Sequence, residues 1–242
     1  MERVVQAAMR LADEGGIESV SMRRLAQELG VEAMSLYHYF ARKDELLAGM
    51  MAAVFAEMAR PERGPDWQAD LRQVAVSAKD VLLRHKWAAA LMGEPLPPSR
   101  AQLEWMDGIL GRLREAGFSP NMTHHAYHAL DSHIVGFVLW LLPIIELGEQ
   151  IPSLAEDILA ETHDGSLPYF AEHVQEHLTP RPEEMGEFEF GLDLILESLE
   201  RRRVSTGTLG VTEGAIASGK ESIRASGGTS RPIPLDPPES RG

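Results

Sequence analysis

An all-α fold is predicted, with a small N-terminal head of three helices set on a larger C-terminal helical bundle. Three observations predict it. Apolar residues recur at three- and four-residue intervals along most of the chain, the spacing of one helix face. No convincing run of alternating apolar and polar residues marks a strand. Cap and breaker residues fall where the helical patterns stop, beginning with Gly15-Gly16, Gly30 and Pro61.

Taken in order, Val5, Ala8, Leu11 and Ala12 predict a first helix over 2–14. Ser21 is placed to cap a second over 22–29, which stops at Gly30, where a left-handed residue costs least. A short third helix is expected over 32–40 and a longer one over 43–59, ended by Pro61 and Gly64-Pro65. That break divides a 1–60 head from a 61–203 body. In the body, Asp66 caps a helix over 67–84, and a short segment over 86–92 precedes a proline-rich loop. Ser99 caps a helix to Ala116, and Ser119-Pro120 starts one reaching Leu147, with a kink expected at Pro143. A short helix near 153–161 and helices over 169–178 and 183–203 follow. Beyond Arg203 the composition turns to Gly, Ser, Thr and Pro, so 204–242 is expected to be a disordered tail.

Composition removes several function classes. With no cysteine, the chain has no disulfides, thiolate metal sites or cysteine nucleophiles. The acidic first turns do not resemble a signal peptide, so a cytoplasmic location is expected. The apolar stretch over 134–145 is well short of the roughly 20 residues a bilayer span needs, so no membrane partner is expected. The net charge of −14 looks unsuited to nucleic acid, but its distribution decides the matter. Residues 61–203 hold 24 acidic against 12 basic side chains, whereas Arg23, Arg24, Arg42 and Lys43 outnumber Glu28 and Glu32 within 21–43. A locally basic strip on an acidic body is compatible with DNA contact.

The most specific signal is 21–40: a short helix, a corner at Gly30-Val31, and a second short helix. Leu25, Ala26, Leu29, Val31, Leu36 and Phe40 are the apolar positions, and Ala26 is small where two helices must cross. This is the packing logic of a helix-turn-helix, whose second helix lies in the major groove. If Leu36 and Phe40 face inward, Ala33, Met34, Ser35, Tyr37 and His38 project outward. Tyr and His can bond phosphate, while Met34 and Ala33 can touch thymine methyls. Arg23 could reach a guanine edge or phosphate, and Arg42 and Lys43 at the next helix start suit a backbone phosphate. Tyr39 could equally pack in the core.

At these residues the chain resembles the TetR family of repressors. The run from Ser21 through Leu47 follows the family signature, most recognisably Leu36-Tyr37, Tyr39-Phe40 and Lys43. The resemblance implies a homodimer with DNA-binding heads and an effector-binding, dimerising core. It puts the DNA-contacting positions on Arg23, Ala33, Met34, Ser35, Tyr37, His38 and Lys43. It continues more weakly to about Arg203, where Trp67-Gln68, 82–85, 116–119, 136–139 and 190–195 look like the tetracycline-repressor branch. Positions implied to ligate a magnesium-bound drug hold Val74, Ala78, Met92, Ser132 and Trp140, which offer neither carboxylate nor imidazole. A more apolar effector is therefore expected.

Trp87, Met92, Trp105, Met106, Leu110, Phe137 and Trp140 either line a cavity or form ordinary core; Trp105 and Phe137 complete the expected effector set. His124 and His128 share a helix face and could hold a metal, but no third ligand sits at an obvious position, so no metal or cofactor is expected. Met185, Phe188, Leu192, Ile195 and Leu199 form a stripe on the last helix, with Phe190, Leu194 and Leu196 beyond it. Such a helix must be covered twice, and the 188, 192, 195 and 199 stripe is assigned to a four-helix homodimer interface with the 119–147 helix. No metalloprotease helix, nucleophile elbow or phosphate loop occurs, so the chain does not read as an enzyme. The expected function is a repressor that binds operator double-stranded DNA and is released by a small, largely apolar molecule. The alternative is a helical ligand-sequestering or metal-binding protein with a non-functional head.

Overall fold

The computed structural model describes residues 1–162, 165–178 and 186–224, with the side chains of 177–178 and 206–224 outside that description. Among the described residues the chain forms eleven α-helices and no strand. The head comprises α1 (Glu2–Gly15), α2 (Met22–Leu29), α3 (Ala33–Leu36) and α4 (Lys43–Glu57). The bundle comprises α5 (Trp67–Arg84), α6 (Lys86–Leu91), α7 (Arg100–Glu115), α8 (Pro120–Leu147), α9 (Ile151–Glu161), α10 (Pro168–Leu178) and α11 (Glu187–Arg224).

The starts follow from side chains that satisfy the first free backbone donors. Ser21, Asp66, Ser99 and Ser119 each accept a backbone N–H from the first turn of α2, α5, α7 and α8 respectively. Pro120 opens α8 without losing a bond, because its missing N–H lies among the unpaired ones. α8 continues through Pro143 to Leu147.

Two elements differ from expectation. The third helix is four residues long instead of nine, and residues 37–39 form turns in which the Tyr39 N–H reaches only to the Leu36 carbonyl. That tighter turn still brings Phe40 to 4% exposure beside Leu36 at 1%, so the inward pair is kept. The helical backbone of α11 runs on to Arg224, past the boundary expected at Arg203. Residues 225–242 of the expected tail, and Met185, lie outside the described residues.

The backbone separates into two units, 1–198 and 199 onward. In the second, Leu199 is buried and the Arg203 guanidinium forks onto both Glu200 oxygens at 2.7 and 2.6 Å. In the first, the packing does not break at 60–65. α4 buries Leu46, Leu47, Met50, Met51, Val54 and Phe55, apolar residues on more than one face. Phe55 tilts against Trp105 of α7 at 5.7 Å, and the Trp105 indole N–H donates to the Ala59 carbonyl at 3.1 Å. The segment between α4 and α5 is held by a buried ion pair. Arg112 donates to Asp70 at 2.5 Å and to the Gly64 carbonyl at 2.9 Å, while the Gly64 N–H donates back to Asp70 at 3.2 Å.

Removing one member of a buried pair strands the other charge. Asp70→Ala is therefore expected to cost about 3–5 kcal/mol in urea unfolding. A loss under about 1 kcal/mol, the value of an exposed pair, would contradict this burial.

Candidate nucleic-acid interface and its coupled core

The head exposes one polar aromatic surface. Gly30, at φ +66°, ends α2 in the left-handed region and turns the chain into α3. With Leu36 and Phe40 committed inward, helical geometry leaves their neighbours outside. Met34 is 72% exposed and Tyr37 47%; Ser35 and His38 are exposed and Ala33 is half-buried. Arg23, Arg42 and Lys43 are also exposed. All seven residues expected to contact DNA thus have accessible side chains, and Lys43 stands at the N-terminus of α4, whose free N–H groups favour an anion. Tyr39, for which core packing was an equal expectation, is exposed. Val31, expected as an apolar anchor of the corner, is 46% exposed; its N–H bonds the Ala26 carbonyl, so backbone rather than side chain holds the corner.

The expected effector residues differ in their surroundings. Val74 and Ala78 are buried on α5, and Met92 is half-buried after α6. Trp105 belongs to the Phe55 and Ala59 contact described above. Ser132 and Trp140 are exposed on α8. Phe137 and Trp140 do meet, 5.6 Å between ring centres, and Phe137 packs edge-on to Phe188 of α11 at 5.2 Å. Two clefts line α7, one of about 290 Å³ beside Arg60 and Arg112, the other of about 430 Å³ beside Met106 and Leu110. Neither includes any of the seven expected residues.

Part of the stripe assigned to the dimer interface is packed inside the protomer. Phe188 and Leu192 are 1% and 0% exposed within the protomer, and Ile195 is half-buried. Phe188 stacks on His133 of α8 at 4.8 Å, and His133 donates to the Phe188 carbonyl at 2.9 Å. Gly191 makes that approach possible, since a β-carbon there would lie 2.5 Å from the His133 ring. Arg72 and Lys79 of α5 pair with Asp193 and Glu189 of α11. With one apolar stripe used inside, the second is left open: Phe190 and Leu194 are 57% and 51% exposed. Leu139, Trp140 and Ile145 of α8 are likewise exposed. The helical run 120–161 contains an apolar window long enough by composition to cross a bilayer and only 11% buried in the protomer, longer than the 134–145 stretch suggested.

His124 and His128 meet edge-on at 4.6 Å on α8, and among the described residues no group of three or more His, Asp or Glu is arranged to hold a metal ion. Burial pushes the Asp131 carboxyl above its usual range, against the pull of His128 and the Tyr127 hydroxyl that lower it. Asp13, Glu57, His85 and Trp87 converge between head and bundle, a joint of which only Trp87 stood out in the sequence.

Residues 4–50 match the model of bacterial regulatory proteins of the tetR family, and residues 60–203 match that of the tetracyclin repressor-like C-terminal domain. An HTH-type transcriptional regulator of Saccharopolyspora erythraea is 36% identical over 57% of this chain, a match spanning 58% of that protein. The class C tetracycline repressor protein of Escherichia coli is 30% identical, over 87% of this chain and 94% of its own. The crystal structure of the TetR family protein ActR of Streptomyces coelicolor in complex with (S)-DNPA superposes with a TM-score of 0.68 at 25% identity, over 82% of this chain and 95% of that one.

The inward and outward residues of α3 should differ sharply in stability. Leu36→Ala is expected to cost about 2–5 kcal/mol in urea unfolding followed by helical circular dichroism. Met34→Ala should stay within about 0.5 kcal/mol, as surface substitutions do. Equal losses would mean the face assignment is wrong.

Proposed function

The chain belongs to the tetR family of bacterial regulatory proteins, and on that basis we propose that it represses genes through its α2–α3 surface and lets go when a small apolar molecule enters its bundle. It is a DNA-binding transcriptional regulator that acts as a cytoplasmic homodimer, not an enzyme. What carries the finer reading is the exposed set on and around α3, for which stability offers no reason. Met34 and Ala33 meet base edges, Tyr37, His38 and Ser35 bond phosphates or bases, and Arg23 and Lys43 neutralise the backbone. The acidic 61–203 body repels the duplex elsewhere and so disfavours non-specific binding.

A second copy covers the open stripe of Phe190 and Leu194 together with the exposed apolar side of α8. Two α-helices from each protomer then make a twofold four-helix interface, which also explains why so apolar a window is left bare in one protomer. Phe188 and Leu192, buried inside, hold α11 to its own bundle. The head occupies residues 1–60 and the effector and dimer body 61–203. The ligand-bound structure of ActR supports a small-molecule effector, and the apolar side chains at 74, 78, 92 and 140 favour one without a bound metal.

Repression requires two heads spaced for successive major grooves, about 34–36 Å apart. An effector that binds better to a mis-spaced dimer weakens DNA binding by that difference in affinity and no more. α4 is the lever, because it belongs to both the head and the bundle.

Tyr37→Ala is expected to abolish retention of operator DNA in a gel shift while the protein still sediments as a dimer; an unchanged shift refutes its role. Lys43→Ala should weaken all sequences alike and reduce the slope of log affinity against log salt by about one. Phe190→Glu with Leu194→Glu should give a folded monomer by sedimentation. A dimer that survives both substitutions would place the interface elsewhere.

A further inference from the structure

His85 is the single residue between α5 and α6, and its ring is buried with 8% of the side chain exposed. Two carboxylates from the head reach it. Asp13 of α1 lies 2.8 Å from Nδ1, and Glu57 at the end of α4 lies 3.3 Å from Nε2. The Trp87 indole N–H, on the first turn of α6, donates to the same Asp13 oxygen at 2.7 Å, and Arg84 pairs with Glu57. Three helices of different parts of the molecule thus converge on one imidazole.

Stability alone does not account for this. Asp13 and Glu57 are about a third exposed, at 31% and 34%, so water could serve both without a protein partner. A buried polar ring is also a poorer filler than an apolar side chain of its size. What the arrangement supplies is direction. One carboxylate faces each ring nitrogen, so the ring plane is fixed between them. A hydrogen-bonded set with every member satisfied specifies one relative position of its parts.

We propose that the Asp13–His85–Glu57 set, with Trp87 as the second donor to Asp13, is a latch that fixes the head to the α5–α6 corner. It rests on the regulatory reading above and adds a route from bundle to head that does not pass through the apolar packing of α4. A shift of the corner is felt at α1 and at the end of α4 together, so the head turns as one body. His85 and Trp87 are positioning residues: they touch no DNA and act through Asp13 and Glu57.

The test uses the intact homodimer. Because the chain lacks cysteine, Gln27→Cys on the exposed side of α2 takes a single nitroxide per protomer, and pulsed electron resonance reads the head-to-head distance. The parent should give one narrow distribution. His85→Gln, Asp13→Asn and the pair together should each broaden it, with the double variant no worse than the worse single, as members of one latch require. Affinity for a duplex from its own upstream region should fall about tenfold in each, an ordinary size for a coupling between sites. The dimer should still melt cooperatively. Should His85→Gln fail to fold, Asp13→Asn, at a partly exposed carboxylate, carries the measurement. Distributions identical to the parent, or effects that merely add, overturn the latch. A parent that retains no duplex overturns the regulatory reading instead, while the distances still judge the latch.

Discussion

The molecule depends on α4 being buried on more than one side. Leu46, Met50 and Val54 are almost wholly buried, and Phe55 at its far end is locked against Trp105 of α7. A helix buried on one face can slide on its domain with little consequence. One buried on two faces must carry any displacement of the bundle into the head, because packed interiors resist continuous deformation. The ion pair of Arg112 with Asp70 and its bonds to Gly64 hold the segment that follows, so α4 is fixed at its end as well. Regulation in such a protein is a question of where the head is held, not of whether it is folded.

The exposed surface of α3 follows from a simpler rule. Four helical residues and the turn after them cannot bury every side chain, and Leu36 and Phe40 take the inward places. What remains outside is a methionine, a serine, two tyrosines and a histidine, a set with little reason to be exposed unless something else is met there. The acidic charge of the bundle then has a use. On the proposed function it leaves the basic side chains around α2 and the start of α4 as the favoured place for phosphate, so that orientation is chosen before any base is read.

The helices, their caps and the head motif were legible in the sequence because each depends on local chemistry. Ser21, Asp66, Ser99 and Ser119 cap as their positions suggest, and Gly30 turns as only glycine easily does. The face of α11 was not legible. Two apolar stripes run along it, and nothing local distinguishes the one around Phe188 and Leu192 from the one around Phe190 and Leu194. The choice is made by distant residues: His133, which stacks on Phe188, and the cations of α5 that pair with Glu189 and Asp193. The setting of Trp105 was hidden for the same reason, since it packs on Phe55 and bonds Ala59, partners some fifty residues earlier in the chain. Pairings of that range leave no periodic trace.

Hydroxyl-radical footprinting of the wild-type dimer on a site selected from its own genome tests the central claim most directly, that two α3 surfaces read one duplex together. Two protected patches on one side of the duplex, centred about one helical turn or a multiple of it apart, are predicted. A single patch, or protection scattered without that period while the dimer remains intact, would contradict the account.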